Sequence, residues 1–194
     1  MFVHIVGLTV MQQELELKEL FKLVNTIFCK YDDLTDIYRI EKIKTIGSSY
    51  MLASGLETYN SDTNQLKEQN KKMIAIAQEM IHFLEEFNED NRRKAKNNLL
   101  ELSAVPNLNV RVGIHMGPIV AGVIGKKKFT YDVWGDVVNV ASRMESTGIP
   151  GHIQVTDRIY DLMHQEYKFE ERGEIEVKGK GKMKTYWVKK PSST

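Results

Sequence analysis

Tyr131-Asp132-Val133-Trp134-Gly135-Asp136-Val137-Val138-Asn139-Val140-Ala141-Ser142-Arg143-Met144 is the stretch on which the reading of this chain turns. From Val137 it reads as a helix, and Ser146-Thr147-Gly148 ends it. Asn139 and Arg143 are four apart, so on a helix they share a face and can meet one ligand. Spacing alone favours a plain surface pair, since Asn and Arg at this separation are common on exposed helix faces, so the neighbouring sequence has to decide.

Toward the N-terminus, Val110, Val112 and Ile114 alternate as a strand, Gly117-Pro118 turns the chain, and Ile119 to Ile124 is an apolar run. Toward the C-terminus, Ile153 to Val155 reads as a short strand and Asp157 to Met163 as a short helix. Tyr167 to Lys178 and Lys184 to Lys189 close as a hairpin around Gly179-Lys180-Gly181. In the first half, residues 2–6 read as a buried strand. Gln13 to Cys29 reads as an amphipathic helix with Cys29 on its buried stripe. Ile37 to Ile46 reads as a strand that pairs with Tyr50-Met51-Leu52-Ala53 across Gly47-Ser48-Ser49. Residues 57–66 read as a loop. A strong helix is expected from about Leu66 to Phe87, followed by a charged, Asn-rich excursion over 88–107. Strands and helices interspersed with hairpins predict an α+β fold, an antiparallel-rich sheet with helices packed on it.

The 194 residues suit one domain, and hydrophobic residues at 42% with charged residues at 27% are the balance of a globular chain and do not suggest disorder. A formal charge of +1 gives no global field toward nucleic acid or an acidic membrane, so phosphate chemistry would need locally placed cations. The single cysteine excludes an internal disulfide and a cysteine-rich zinc site, and fits a reducing cytosolic compartment. No apolar run approaches the length of a membrane helix. Phe2 to Val6 starts as a strand with no lead-in, so the chain is expected to be a fragment of a longer protein, with any membrane anchor elsewhere.

Four stretches stand together in order: Ile5-Val6-Gly7-Leu8-Thr9, Lys42-Ile43-Lys44-Thr45-Ile46-Gly47, the opening stretch 131–144, and Val177-Lys178-Gly179-Lys180-Gly181. With Gly113-Ile114-His115-Met116-Gly117-Pro118 and Ala121-Gly122-Val123-Ile124-Gly125 between them, the chain resembles the class III adenylyl and guanylyl cyclase catalytic domain over nearly its whole length. The resemblance implies a ferredoxin-like βαββαβ core with additional strands and helices, residues 1–194 being one such domain. It implies active sites at a dimer interface, where the ribose 3′-hydroxyl attacks the α-phosphate and releases pyrophosphate.

The resemblance assigns roles residue by residue. Asn139 orients the ribose, Arg143 stabilises charge on the α-phosphate, and Lys178 binds the triphosphate. A planar, permanently charged guanidinium suits the second task, and an ammonium beside a glycine turn suits the third. Lys180, Lys182 and Lys184 read as an ordinary basic hairpin tip. Lys44 and Asp132 read the base. Adenine offers an acceptor at N1 and a donor amino group at C6, which a Lys donor and an Asp acceptor match. Guanine reverses both, and guanylyl cyclases typically carry Glu and Cys there. The pair therefore predicts ATP, because a mismatched edge leaves polar groups unpaired. Asp132 could also cap the following turn. Val133 and Trp134 are expected to wall the base pocket, with Trp134 equally suited to plain core.

The chain departs from the pattern at the metal positions. The family holds two Mg²⁺ with two aspartates, where this chain has His4 and Ser48. Magnesium prefers charged oxygens in an octahedral array, and imidazole and hydroxyl are poor replacements. The expectation is an adenylate cyclase half with no metal ligands of its own. It would work with a complementary half, in a heterodimer or within one longer chain, that holds Mg²⁺. The second half of mammalian-type membrane adenylyl cyclases is organised this way, on the cytoplasmic face of a membrane, and in that family a degenerate second pocket hosts a diterpene activator such as forskolin. The alternative is an inactive pseudo-cyclase that binds nucleotide or regulates a partner; intact Lys44, Asp132, Asn139, Arg143 and Lys178 speak against it. A ferredoxin-like nucleic-acid binder would need exposed sheet aromatics and a basic face, which the composition lacks.

Overall fold

In the computed structural model, which describes residues 1–57, 61–97 and 107–189, apolar alternation on the strands decides how the layers form. Strand β1 (Phe2–Val6) sends Val3 and Ile5 to one face of a sheet and Phe2 and His4 to the other. Helices α1 (Leu8–Glu14) and α2 (Leu17–Tyr38) then lead to the hairpin β2 (Glu41–Ile46) and β3 (Ser49–Ala53). Helix α3 (Thr63–Lys96) returns the chain to β4 (Asn109–Ile114).

The strand order β2-β3-β1-β4, with helices between β1 and β2 and between β3 and β4, is the ferredoxin-like core. The chain continues through β5 (Val120–Ile124), β6 (Thr130–Trp134), α4 (Asp136–Ser146), β7 (Ile153–Thr156), α5 (Asp157–Met163), β8 (Phe169–Val177) and β9 (Gly181–Val188). Strands β7, β9 and β8 extend the sheet past β4, giving the order β2-β3-β1-β4-β7-β9-β8. Only β4 and β7 pair in parallel among these strands. Strands β5 and β6 form a separate two-stranded ribbon.

Helices α2 and α3 cover one face. Ile27, Tyr31, Met73, Ile76, Ala77, Met80 and Leu84 pack with Val3, Ile5, Val110, Val112 and Ile114 in the main core. On the opposite face Ala141 of α4 and Val133 of β6 pack on Phe2, Ile43, Met51 and Ala53. Each of the larger aliphatic, Met and Phe side chains contributes about 1.5–3 kcal/mol on burial.

Four expectations need correction. The helix ending at Cys29 instead runs from Leu17 to Tyr38, and Arg39 in the left-handed region (φ 52°) stops it, so the strand starts at Glu41 rather than Ile37. Cys29 is exposed, off the buried stripe of Leu20, Ile27, Tyr31 and Leu34. The helix expected to end near Phe87 continues to Lys96, so 88–96 is helical. Residues 98–106 of the expected excursion lie outside the described residues. At its start α3 has a capping box: Asp62 accepts from the Gln65 amide at 2.8 Å, and the Asp62 amide donates to the Gln65 side chain at 3.0 Å. Among the described residues, no helix is long and apolar enough to cross a membrane.

Candidate active site

Lys44 lies on β2 just past an irregularity in the β2–β3 register, and Asp132 lies at the middle of β6. The fold carries these two residues, 88 positions apart, into direct contact: Lys44 Nζ donates to Asp132 Oδ2. The other carboxylate oxygen accepts the Val133 amide at 2.9 Å, so Asp132 serves both as Lys44's partner and as a local cap. The hydrogen bond from Lys44, helped by the Val133 amide and opposed by partial burial, holds the Asp132 carboxyl below the usual carboxylate range. Both groups keep some exposure, with 34% of the Lys44 and 16% of the Asp132 side chain open. A ligand edge can therefore reach them.

Gly135, at φ 148° and ψ 161°, turns β6 into α4 through backbone that a side chain would strain. The helix then displays Asn139 and Arg143 on its exposed face while Val140, Ala141 and Met144 are buried. Arg143 Nε donates to the Glu176 carbonyl at 3.4 Å, which sets the guanidinium beside the base of the β8–β9 turn. Lys178 is exposed two residues further on. Lys180, read from sequence as a plain hairpin tip, pairs with Asp136 at 2.5 Å and ties that turn to the start of α4. The two residues are 44 positions apart and nothing in the local sequence marks them as partners. The Lys44–Asp132 pair, the exposed face of α4 and the lysine turn thus follow one another through β2, β6, α4 and β8.

Val133 is buried with Phe2, Ile43 and Met51, so it supports the site from the core rather than lining an open pocket. Trp134 is 37% exposed, which takes it out of the plain core. A pocket of about 500 Å³ lies on the other side of the α4 N-terminus, lined among others by His115, Val137, Arg158, Lys180 and Met183. None of Lys44, Asp132, Asn139 and Arg143 lines it. Burial, reinforced by the Arg158 guanidinium, lowers the His115 pKa to about 4.

The residues at the family's metal positions do not fit magnesium. His4 Nδ1 lies 2.8 Å from Ser49 Oγ and 3.4 Å from Ser48 Oγ, a neutral polar cluster. Burial lowers the His4 pKa, and the Arg111 guanidinium adds to this against the opposing pull of Glu145. The nearby carboxylate, Glu145, is itself engaged by Arg111, with Nε and Nη2 both 3.0 Å from Oε1. Among the described residues no three His, Cys, Asp or Glu side chains converge as ligands.

Residues 1–190 match the family model of the adenylate and guanylate cyclase catalytic domain. The chain belongs to this family, the class III nucleotide cyclases. Adenylate cyclase type 9 of Gallus gallus is 40% identical over 174 residues, which are 87% of this chain and 12% of that protein. The germination-specific adenylate cyclase of Dictyostelium discoideum is 40% identical over 189 residues, 96% of this chain and 20% of that protein. The solved guanylate cyclase domain of RhGC from Catenaria anguillulae, in complex with GTP, superposes with a TM-score of 0.79 at 28% identity, covering 97% of this chain and 93% of that one. The chain thus spans 12% and 20% of the two curated relatives, and similar proteins include both purine classes.

Proposed function

We propose that this domain is one half of an adenylyl cyclase active site, converting ATP to cyclic AMP and pyrophosphate when a complementary cyclase half holds the Mg²⁺. The observation that carries the reading is the Lys44–Asp132 contact, a donor and an acceptor held side by side for the N1 and 6-amino edge of adenine. Guanine would meet both groups with the wrong polarity, leaving each unpaired at a cost of about 1–3 kcal/mol. Asn139 then orients the ribose. Arg143 stabilises the charge that builds on the α-phosphate as the 3′-hydroxyl attacks, and Lys178 binds the terminal phosphates. These are positioning and electrostatic contributions, the terms that dominate phosphoryl chemistry.

The need for a partner follows from His4, Ser48 and Ser49, whose mutual contacts offer no charged oxygen where the family places its metal carboxylates. It is supported by the apolar side chains left exposed near the site: Ile46 at 54%, Val120 at 69%, Val123 at 62% and Phe129 at 78%. The partner is a second cyclase half, in a separate protein or in the same longer polypeptide.

Mixing the chain with a metal-competent cyclase half and Mg-ATP tests the reading. Cyclic AMP from the mixture and not from this chain alone is the expected result. Product from the chain alone would overturn the metal argument, and bound nucleotide without product in the mixture would establish a pseudo-cyclase.

A further inference from the structure

We infer that Thr147 and Gln154 are positioning residues for Arg143: they tie the last turn of α4 to strand β7 and so fix where the guanidinium stands. The inference rests on the role proposed for Arg143. The Arg143 carbonyl accepts three donors, the Thr147 amide at 3.1 Å, Thr147 Oγ1 at 2.8 Å and Ser146 Oγ at 3.4 Å. Carbonyls of a last helical turn have no partner within the helix, so one or two local donors are ordinary there. What is not local is the next link. Thr147 Oγ1 also accepts Gln154 Nε2 at 3.1 Å, from a side chain of β7 that is wholly buried.

Gln154 is a costly choice for that place. Its Oε1 has no hydrogen-bond partner among the described residues, although an apolar side chain of the same size would leave nothing unsatisfied. Its amide N–H is the group that reaches the helix cap. In the chain Gln154 Nε2–Thr147 Oγ1–Arg143 O, each bond polarises the next, so the sheet and the arginine's own backbone are linked through two side chains.

A second fastening lies beside it. In the parallel register Gln154 stands opposite Gly113, where a Cβ would come within 2.0 Å of the Glu145 amide nitrogen, so α4 rests directly on the β4 backbone. Glu145, two residues after Arg143, is buried and held by Arg111 of β4. Helix α4 is therefore gripped on both sides of the strand pair, next to the residue that is to meet the phosphate.

The test reads Arg143 directly. In the chain labelled with ¹⁵N-arginine, the Arg143 Nε–Hε signal is the one lost in Arg143→Lys, and its heteronuclear NOE reports picosecond–nanosecond order. Thr147→Val and Gln154→Met are expected to lower that NOE, while Thr147→Ser, which keeps the hydroxyl, leaves it unchanged. An unchanged NOE in both Thr147→Val and Gln154→Met, with the melting transition retained, would overturn the inference. In the mixture with a metal-competent half, Thr147→Val should lower kcat about tenfold with KM for ATP little altered, as expected for a displaced transition-state group. That loss should vanish in an Arg143→Ala background, and an equal loss there would also overturn the inference. If the mixture makes no cyclic AMP at all, the proposed function fails while the NOE still decides the positioning.

Discussion

At the scale of single residues, the proposed choice of base rests on Lys44 and Asp132. Asp132's carboxyl is held low chiefly by the Lys44 hydrogen bond, so the ion pair is fully present above the unfolded carboxylate pKa and is lost only as pH falls through the lower folded value. At neutral pH the carboxylate is therefore an acceptor. Replacing Lys44→Glu together with Asp132→Cys is expected to shift turnover in the mixed assay from ATP toward GTP by at least about tenfold, the scale of one or two mismatched buried polar groups. An unchanged preference would remove the base assignment. His115 offers a separate pH test. Its pKa falls from 6.5 to about 4 on folding, so the folded state favours the neutral ring. That contribution is complete above pH 6.5 and is lost progressively as pH drops toward 4. The melting temperature should decline over that window, and His115→Gln should flatten the decline; an equal slope in both proteins would show that His115 titrates normally.

At the scale of elements, the seat of α4 on β4 decides where Asn139 and Arg143 stand. Gly113→Ala would drive a methyl into the Glu145 backbone, and backbone cannot step aside as a flexible side chain does. A loss of about 1–3 kcal/mol or more is expected in urea unfolding, the range for overpacking a tight contact. A wild-type midpoint would mean that α4 is free to lift. Helix α3 shows why its end was hidden in the sequence. The apolar stripe stops near Phe87, but Glu89–Arg93 and Asp90–Lys94 pairs at i,i+4 carry the helix on. Three basic residues in its last turn suit the helix dipole. The buried Asn88 is held by Leu108, its Nδ2 donating to the Leu108 carbonyl at 2.6 Å and its Oδ1 accepting the Leu108 amide at 3.1 Å. A reading keyed to hydrophobic period cannot see a helix sustained by charge pairs and one tertiary amide contact.

At the scale of the whole molecule, the β5–β6 ribbon is the element least explained by a single copy. It stands apart from the seven-stranded sheet yet carries Asp132, and it exposes Val120, Val123, Ile124 and Phe129. An exposed apolar patch next to polar residues that bring no metal ligands fits a site completed by another polypeptide. Val123→Asp is expected to leave the melting temperature of the isolated chain within a few degrees, since surface changes cost about 0.5 kcal/mol or less. It should weaken association with the metal-competent half strongly in analytical ultracentrifugation. Unimpaired association would place the interface elsewhere.

The sequence by itself determined the family, the α+β class, most of the strands and helices though not α1 or β6, and the departure at His4 and Ser48, because these are written in short contiguous motifs and in period-two and helical spacing. Lys44 and Asp132 were legible as candidates for the same reason. Their contact was not, since it joins residues 88 positions apart through packing of β2 against β6. Only tertiary structure decided that Val133 belongs to the core, that Cys29 is exposed, that Lys180 pairs with Asp136, and that Gln154 of β7 donates to Thr147 at the end of α4. Local sequence sets which conformation each segment prefers. Which side chains then meet depends on how sheet and helices close on one another, and that information is spread over the whole chain.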